Sequence, residues 1–157
     1  MSKVQVCHME ERDIPKVSKM FIALHGYLNE LGSLFRLNPD WVDDFLHMQL
    51  SSKLGRIIVL KSDDEAVGFL CVSAPLINKK FITEGSKNTG IISELYIEPA
   101  YRGKSYAKML LRAAEEFLKT LNVRHMQVEV LVNNEAAASL YENYGFMPSY
   151  TDLYKKI

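Results

Sequence analysis

The chain has 157 residues, which bounds it to one domain over 1–157 with a core of its own, and its 48% apolar and 24% charged content is ordinary for a globular protein. Nineteen Lys and Arg balance nineteen Asp and Glu, so no bulk field draws the chain to nucleic acid or to an anionic membrane. No apolar run approaches a membrane span and the start, MSKVQVCHMEERD, has no apolar leader core, so the expectation is a cytoplasmic protein with no membrane or nucleic-acid partner. Two cysteines, Cys7 and Cys71, read as reduced core thiols, and the four histidines lie too far apart for zinc spacing, so no metal site is expected.

Residues 3–8 alternate and predict a strand. Asp13 before Ile14-Pro15 predicts an N-cap and a helix carrying Val17, Met20, Phe21, Leu24, Tyr27, Leu28 and Leu31, stopped at Gly32. A connector follows at 32–38, with Leu34 and Phe35 set to border a cleft. Asn38-Pro39-Asp40 opens a second helix through Leu50. Residues 56–60 and 66–74 predict two strands of a hairpin around a polar turn at 61–65, with a bulge at Gly68. Residues 78–90 read as a surface loop with three lysines, and residues 91–97 as a strand ending at Pro99.

The turn Tyr101-Arg102-Gly103-Lys104-Ser105 then leads into a helix. Its apolar positions, Ala107, Leu110, Leu111, Ala114, Phe117, Leu118 and Leu121, share one face and pack it on a sheet. Strand, tight turn and helix form an arrangement whose first-turn N–H groups can hold a phosphate. Residues 125–132 predict another strand. Asn134 caps a short helix over 136–144 that Gly145 stops, and residues 146–155 predict a final strand. The order is β-α-α-β-β-β-α-β-α-β, an α/β fold with helices on both faces of one sheet.

Two blocks resemble the GCN5-related N-acetyltransferases, the GNAT family. The first, Arg102-Gly103-Lys104-Ser105-Tyr106-Ala107, is similar to that family's Q/R-x-x-G-x-G/A motif, with Ser105 where glycine is usual. The second, residues 134–146, matches N-x-x-A-x-x-L-Y-x-x-x-G-F throughout. The resemblance implies a mixed, mostly antiparallel sheet splayed between its fourth and fifth strands. It also implies acetyl-CoA as co-substrate and transfer of acetyl to a primary amine of a small molecule, by direct attack in a ternary complex. A protein or peptide N-terminus as acceptor, or a silent CoA-binding module, are the other readings, and a homodimer fits the family as well as a monomer.

The same resemblance distributes the roles. Residues 102–107 would take the pyrophosphate, with charge from Arg102 and Lys104 and a hydroxyl from Ser105, whose cost is small if its φ is negative. The backbone of Leu95, Tyr96 and Ile97 would line the pantetheine arm, and Asn134 would bond it. Glu94 would act as base on an amine whose ordinary pKa is near 10, and Tyr141 as acid toward the leaving thiolate.

Overall fold

A computed structural model describes residues 2–81 and 86–157. The middle of the expected 78–90 loop, residues 82–85, lies outside the described residues. The elements run β1 (Val4–His8), α1 (Ile14–Glu30), α2 (Pro39–Leu50), β2 (Gly55–Ser62), β3 (Glu65–Ser73), β4 (Gly90–Ile97), α3 (Tyr106–Thr120), β5 (Met126–Val128) and α4 (Glu135–Tyr144). The five strands form one sheet in chain order, antiparallel from β1 to β4 and parallel between β4 and β5.

Both faces of the sheet are covered, which is why β2 reads as the unbroken apolar run RIIVL. Ile57 and Val59 face α1 and α2, joining Val17, Phe21, Leu24, Val42, Leu46 and Phe69. Ile58 and Leu60 face the other way, joining Leu110, Leu111, Ala114 and Leu118 of α3 and Tyr141 of α4. The α3 stripe therefore packs as its spacing requires. Phe21 stacks on Phe69 at 5.6 Å and on His25 at 5.3 Å between ring centroids, which ties α1 to the sheet.

Three local expectations change. Lys61 and Ser62 are not turn residues: β2 runs through Ser62, and the hairpin closes on Asp63 and Asp64 alone, with φ of 48° and 71°. Two consecutive left-handed residues make the tight hairpin turn whose twist matches the strands. Asp13 precedes α1 but its side chain does not cap it. Its carboxylate instead accepts from the Glu10 N–H at 2.9 Å and meets Lys61 Nζ at 2.9 Å, with Asp13 5% and Lys61 2% exposed. Burial pushes the Lys61 amine down, but the bond to Asp13 and the charges around it outweigh this, so its pKa ends raised.

Replacing Asp13 with Ala should cost about 2 kcal/mol. That is less than the 3–5 kcal/mol of an orphaned buried charge, because Glu10 Oε2, 3.3 Å from Lys61, remains as a partner. In a domain of this size the unfolding midpoint should fall by about 4–8 °C. Since the folded Lys61 pKa lies above the unfolded one, the stabilisation is complete below about pH 10 and fades as pH climbs through the folded value. A midpoint unchanged at pH 7 would remove the pair from the account.

The third change concerns the end of the sheet. β5 holds only Met126–Val128, and residues 146–155 form no strand. The cause lies in β4. Cys71 pairs with Glu94 while Val72 pairs with Ile92, so Ser93 is an extra residue that bulges the strand. β4 and β5 pair at residues 90–92 and 126–128 and then part, which leaves the rest of the expected fifth strand without a ladder. The tail beyond it has no strand to join, and Met147, Tyr150 and Leu153 stand exposed. The expected splay between the fourth and fifth strands is present, and it begins at the bulge. The other expected bulge falls one residue early, at Val67, where Leu60 pairs with Gly68 and Lys61 with Ala66. Gly68 serves close packing instead: a Cβ there would stand 3.0 Å from the Tyr96 carbonyl oxygen.

Candidate active site

The bulge decides which way the β4 side chains point. Strict alternation puts Ile92 and Glu94 on one face. Ile92 packs against α3, but the extra residue turns Glu94 to the opposite face, toward α1. There Glu94 Oε1 lies 3.5 Å from His25 Nε2, and Oε2 accepts a short hydrogen bond from the Ser93 hydroxyl. Glu98 faces α1 as well, where it pairs with Lys16 at 2.9 Å. Of the two strand carboxylates, Glu98 is held by a lysine, while Glu94 has a histidine and a serine for neighbours.

Cys71 stands opposite Glu94 in the register and is fully buried. Burial, with the Glu94 charge beside it, pushes its thiol well up. It stays a thiol at neutral pH and is a poor nucleophile.

Where β4 and β5 part, β4 has no strand partner on its second edge from Ser93 onward among the described residues. At the far end of that edge a single turn, Pro99–Tyr101, leads into the motif. Arg102 folds back: its Nε donates to the Ile97 carbonyl at 2.8 Å, and the guanidinium lies 5.4 Å from the centre of the Tyr96 ring. It thereby fixes the end of the strand to the start of the turn, and its charge faces the strand. Lys104 sits 5.9 Å from the centre of the Tyr101 ring and is exposed.

The N–H groups of Gly103, Lys104, Ser105, Tyr106 and Ala107 find no acceptor among the described residues, while Lys108 already donates to the Ser105 carbonyl at 3.1 Å. These are the orphan donors of a helix start, at the positive end of a 15-residue helix. Gly103 and Ser105 both have positive φ, 75° and 62°. The small cost expected of Ser105 held only for a negative φ, and its left-handed conformation does not meet that condition. Alternating left-handed residues curl successive N–H groups into an anion-sized concavity. Ser105 carries a penalty of roughly 1–2 kcal/mol for its Cβ in this conformation.

Ser105→Gly removes that penalty and adds some unfolded-chain entropy, so the net gain should be about 1 kcal/mol. A rise of about 2–4 °C in the unfolding midpoint would show it. A fall would mean that the hydroxyl contributes more than the backbone loses.

Asn134 caps α4, its Oδ1 accepting from the Ala137 N–H at 3.2 Å. Tyr141 is 8% exposed, packs edge-on to Phe146 at 5.4 Å, and has its phenol pushed up to about 12 by burial. It lies on the α3 side of the sheet and Glu94 on the α1 side, so the two flank the splayed edge from opposite faces. His25 and Ser93 escaped the sequence reading. His25 is the twelfth residue of α1, inside an ordinary apolar helix pattern, and only the bulge, which periodicity does not show, brings Glu94 to it. Among the described residues no group of three or more His, Cys, Asp or Glu could hold a metal ion, and no helix is long and apolar enough to cross a membrane.

Comparison with known proteins places the fold and the family. The chain is similar to a putative [ribosomal protein bS18]-alanine N-acetyltransferase of Bacillus subtilis (strain 168), 28% identical over 124 residues that cover 79% of this chain and 74% of that protein. It is 35% identical over 80 residues to N-alpha-acetyltransferase 30 of Schizosaccharomyces pombe, covering 51% and 53% of the two. Its fold superposes on the aminoglycoside N-acetyltransferase AAC(6')-Iy in complex with CoA with a TM-score of 0.82, at 15% identity, over 100% of this chain and 96% of that one. The profile of the acetyltransferase (GNAT) family matches residues 24–146, which include the splayed edge, the turn of orphan donors and Tyr141. With its motifs and its sheet in agreement with that match, the chain belongs to the acetyltransferase (GNAT) family, and acetyl-CoA is its co-substrate.

Proposed function

We propose that this enzyme transfers acetyl from acetyl-CoA to the primary amine of a small molecule, by direct attack of the amine in a ternary complex. The observation that carries the reading is the row of partnerless N–H groups at residues 103–107, set at the end of an open β4 edge. Those donors take the pyrophosphate. The β4 edge beside Leu95 and Tyr96 takes the pantetheine amides, while the Ile97 carbonyl is already held by Arg102. Asn134 keeps its side-chain oxygen in the helix cap, leaving its amide NH₂ to face the pantetheine arm. Acetyl-CoA supplies the activated acyl group and a thiolate leaving group. The inert Cys71 thiol favours direct attack over an acyl-enzyme.

Glu94 takes the proton of the incoming amine. At pH 7 only about one such amine in a thousand is neutral, given an ordinary pKa near 10. A positioned base contributes roughly 10²- to 10⁴-fold. Glu94→Gln should therefore lower kcat/KM by about 10²-fold at pH 7, with the deficit shrinking as pH rises toward the amine's own pKa. A wild-type rate across the whole pH range would remove Glu94 as the base.

A second reading is favoured by the names of two relatives, a putative [ribosomal protein bS18]-alanine N-acetyltransferase and N-alpha-acetyltransferase 30. Under it the acceptor is a peptide α-amine, and a thiol-release assay comparing N-terminal peptides with small amines separates the two.

A further inference from the structure

A groove of about 190 Å³ lies between α1 and the connector after it. One wall is His25, whose Nε2 is buried and without a hydrogen bond, and which stands 3.5 Å from Glu94. The groove is thus one imidazole away from the carboxylate given the role of base. Ile22, Leu37 and Pro39 supply apolar walls. No carboxylate lines it among the described residues, and its one cation is Arg36.

Two observations indicate that this space is built. Asn29 donates its side-chain amide to the carbonyls of Phe35 at 2.7 Å and Ser33 at 3.4 Å, which pins the connector and fixes the residue after it, Arg36. Arg36 is exposed and has no hydrogen bond or ion pair among the described residues. Its guanidinium has five donors, in a fork that fits a carboxylate bidentately. The second observation is Gly26, in the middle of α1, where glycine is a poor helix former. A Cβ there would meet nothing within 4 Å, so packing does not demand glycine, and what its absent side chain provides is room in the groove.

We propose that this groove is the acceptor site and that its ligand is a small amine carrying a carboxylate. Arg36 holds the carboxylate, the apolar walls cover the carbon chain, and the amine turns toward His25 and Glu94. The inference rests on the acetyl-transfer reading above and narrows its substrate class. A polycationic acceptor such as an aminoglycoside fits poorly, because the groove offers it a guanidinium and no carboxylate of its own.

The test is thiol release from acetyl-CoA with matched acceptors: leucine and 6-aminohexanoate, the amide of each, the corresponding amine without the carboxyl group, a leucine-initiated peptide, and an aminoglycoside. At least one of the two acids should exceed its amide and its decarboxylated amine by at least tenfold in kcat/KM. Arg36→Gln should erase that preference by raising KM for the acid, and Arg36→Lys should restore part of it. Gly26→Leu should raise KM for every acceptor, and the unfolding midpoint of each variant should still rise with acetyl-CoA as the wild type's does. Equal use of acid and amide, preference for the peptide or the aminoglycoside, or an Arg36→Gln variant with the wild-type preference would each overturn the proposal while leaving acetyl transfer intact. No thiol release with any amine, despite an acetyl-CoA midpoint shift, would instead strike the acetyl-transfer reading, and this inference with it.

Discussion

Tyr141→Phe is expected to lower kcat by about 10²-fold or more while leaving the apparent affinity for acetyl-CoA within about twofold. Removing a positioned general acid costs this much, whereas the ring that packs on Phe146 is retained. Burial pushes the phenol up to about 12, so it keeps its proton throughout the neutral range. A phenol so weakly acidic would be a poor donor to a thiolate in water, since an ordinary thiol sits near 8.5. The site narrows that gap, because the burial that raises the phenol also raises a thiol formed beside it. The phenol therefore gives a strong hydrogen bond to the thiolate as charge develops, when that bond is worth most. Tyr141 should contribute no alkaline limb to the rate below about pH 10. Equal losses in kcat and acetyl-CoA affinity would reduce Tyr141 to a packing residue.

Gly103→Glu should weaken acetyl-CoA binding at least 10²-fold. Gly103 has φ +75°, so any side chain there carries roughly 1–2 kcal/mol of left-handed strain. Its Cβ would meet nothing within 4 Å, so the folded chain has space for the residue. The greater part of the effect is charge. Two unit charges 4 Å apart at an effective dielectric of 20 interact by about 4 kcal/mol, and the new carboxylate would stand among the donors meant for a pyrophosphate. Gly103→Ala carries the same strain without the charge and should lose no more than about tenfold. If Ala and Glu lose affinity equally, backbone strain explains both and the pyrophosphate position is wrong.

Much of the scaffold could be read before the structure, since it rests on periodicity and local chemistry. The α3 stripe, the Asn38 and Asn134 caps and the alternation of β1 each reflect interactions within a few residues. What escaped was set by contacts distant in sequence. Lys61 reads as a turn residue because it is charged, yet Asp13, 48 positions earlier, holds it inside. A one-residue bulge leaves no mark in a run such as IISELYI, and it alone decides that Glu94 faces His25 and that β5 stops after three residues. The two motif blocks located the turn and the tyrosine, since those positions depend on local chain geometry. They did not reveal that Ser105 is left-handed or that Arg102 turns back onto Ile97.

The most direct test of the account is thermal unfolding with acetyl-CoA, with ATP as control, on the wild type and on the Tyr141→Phe, Glu94→Gln and Gly103→Glu variants. A ligand at about 100 times its dissociation constant adds about 2.7 kcal/mol, which should raise the midpoint by roughly 5–10 °C in a chain of this length. That rise is expected with acetyl-CoA and not with ATP in the wild type and in the Tyr141 and Glu94 variants, and it should be lost in Gly103→Glu. A shift that survives in Gly103→Glu, or no shift in the wild type, would contradict the claim that the turn at residues 102–107 holds the cofactor.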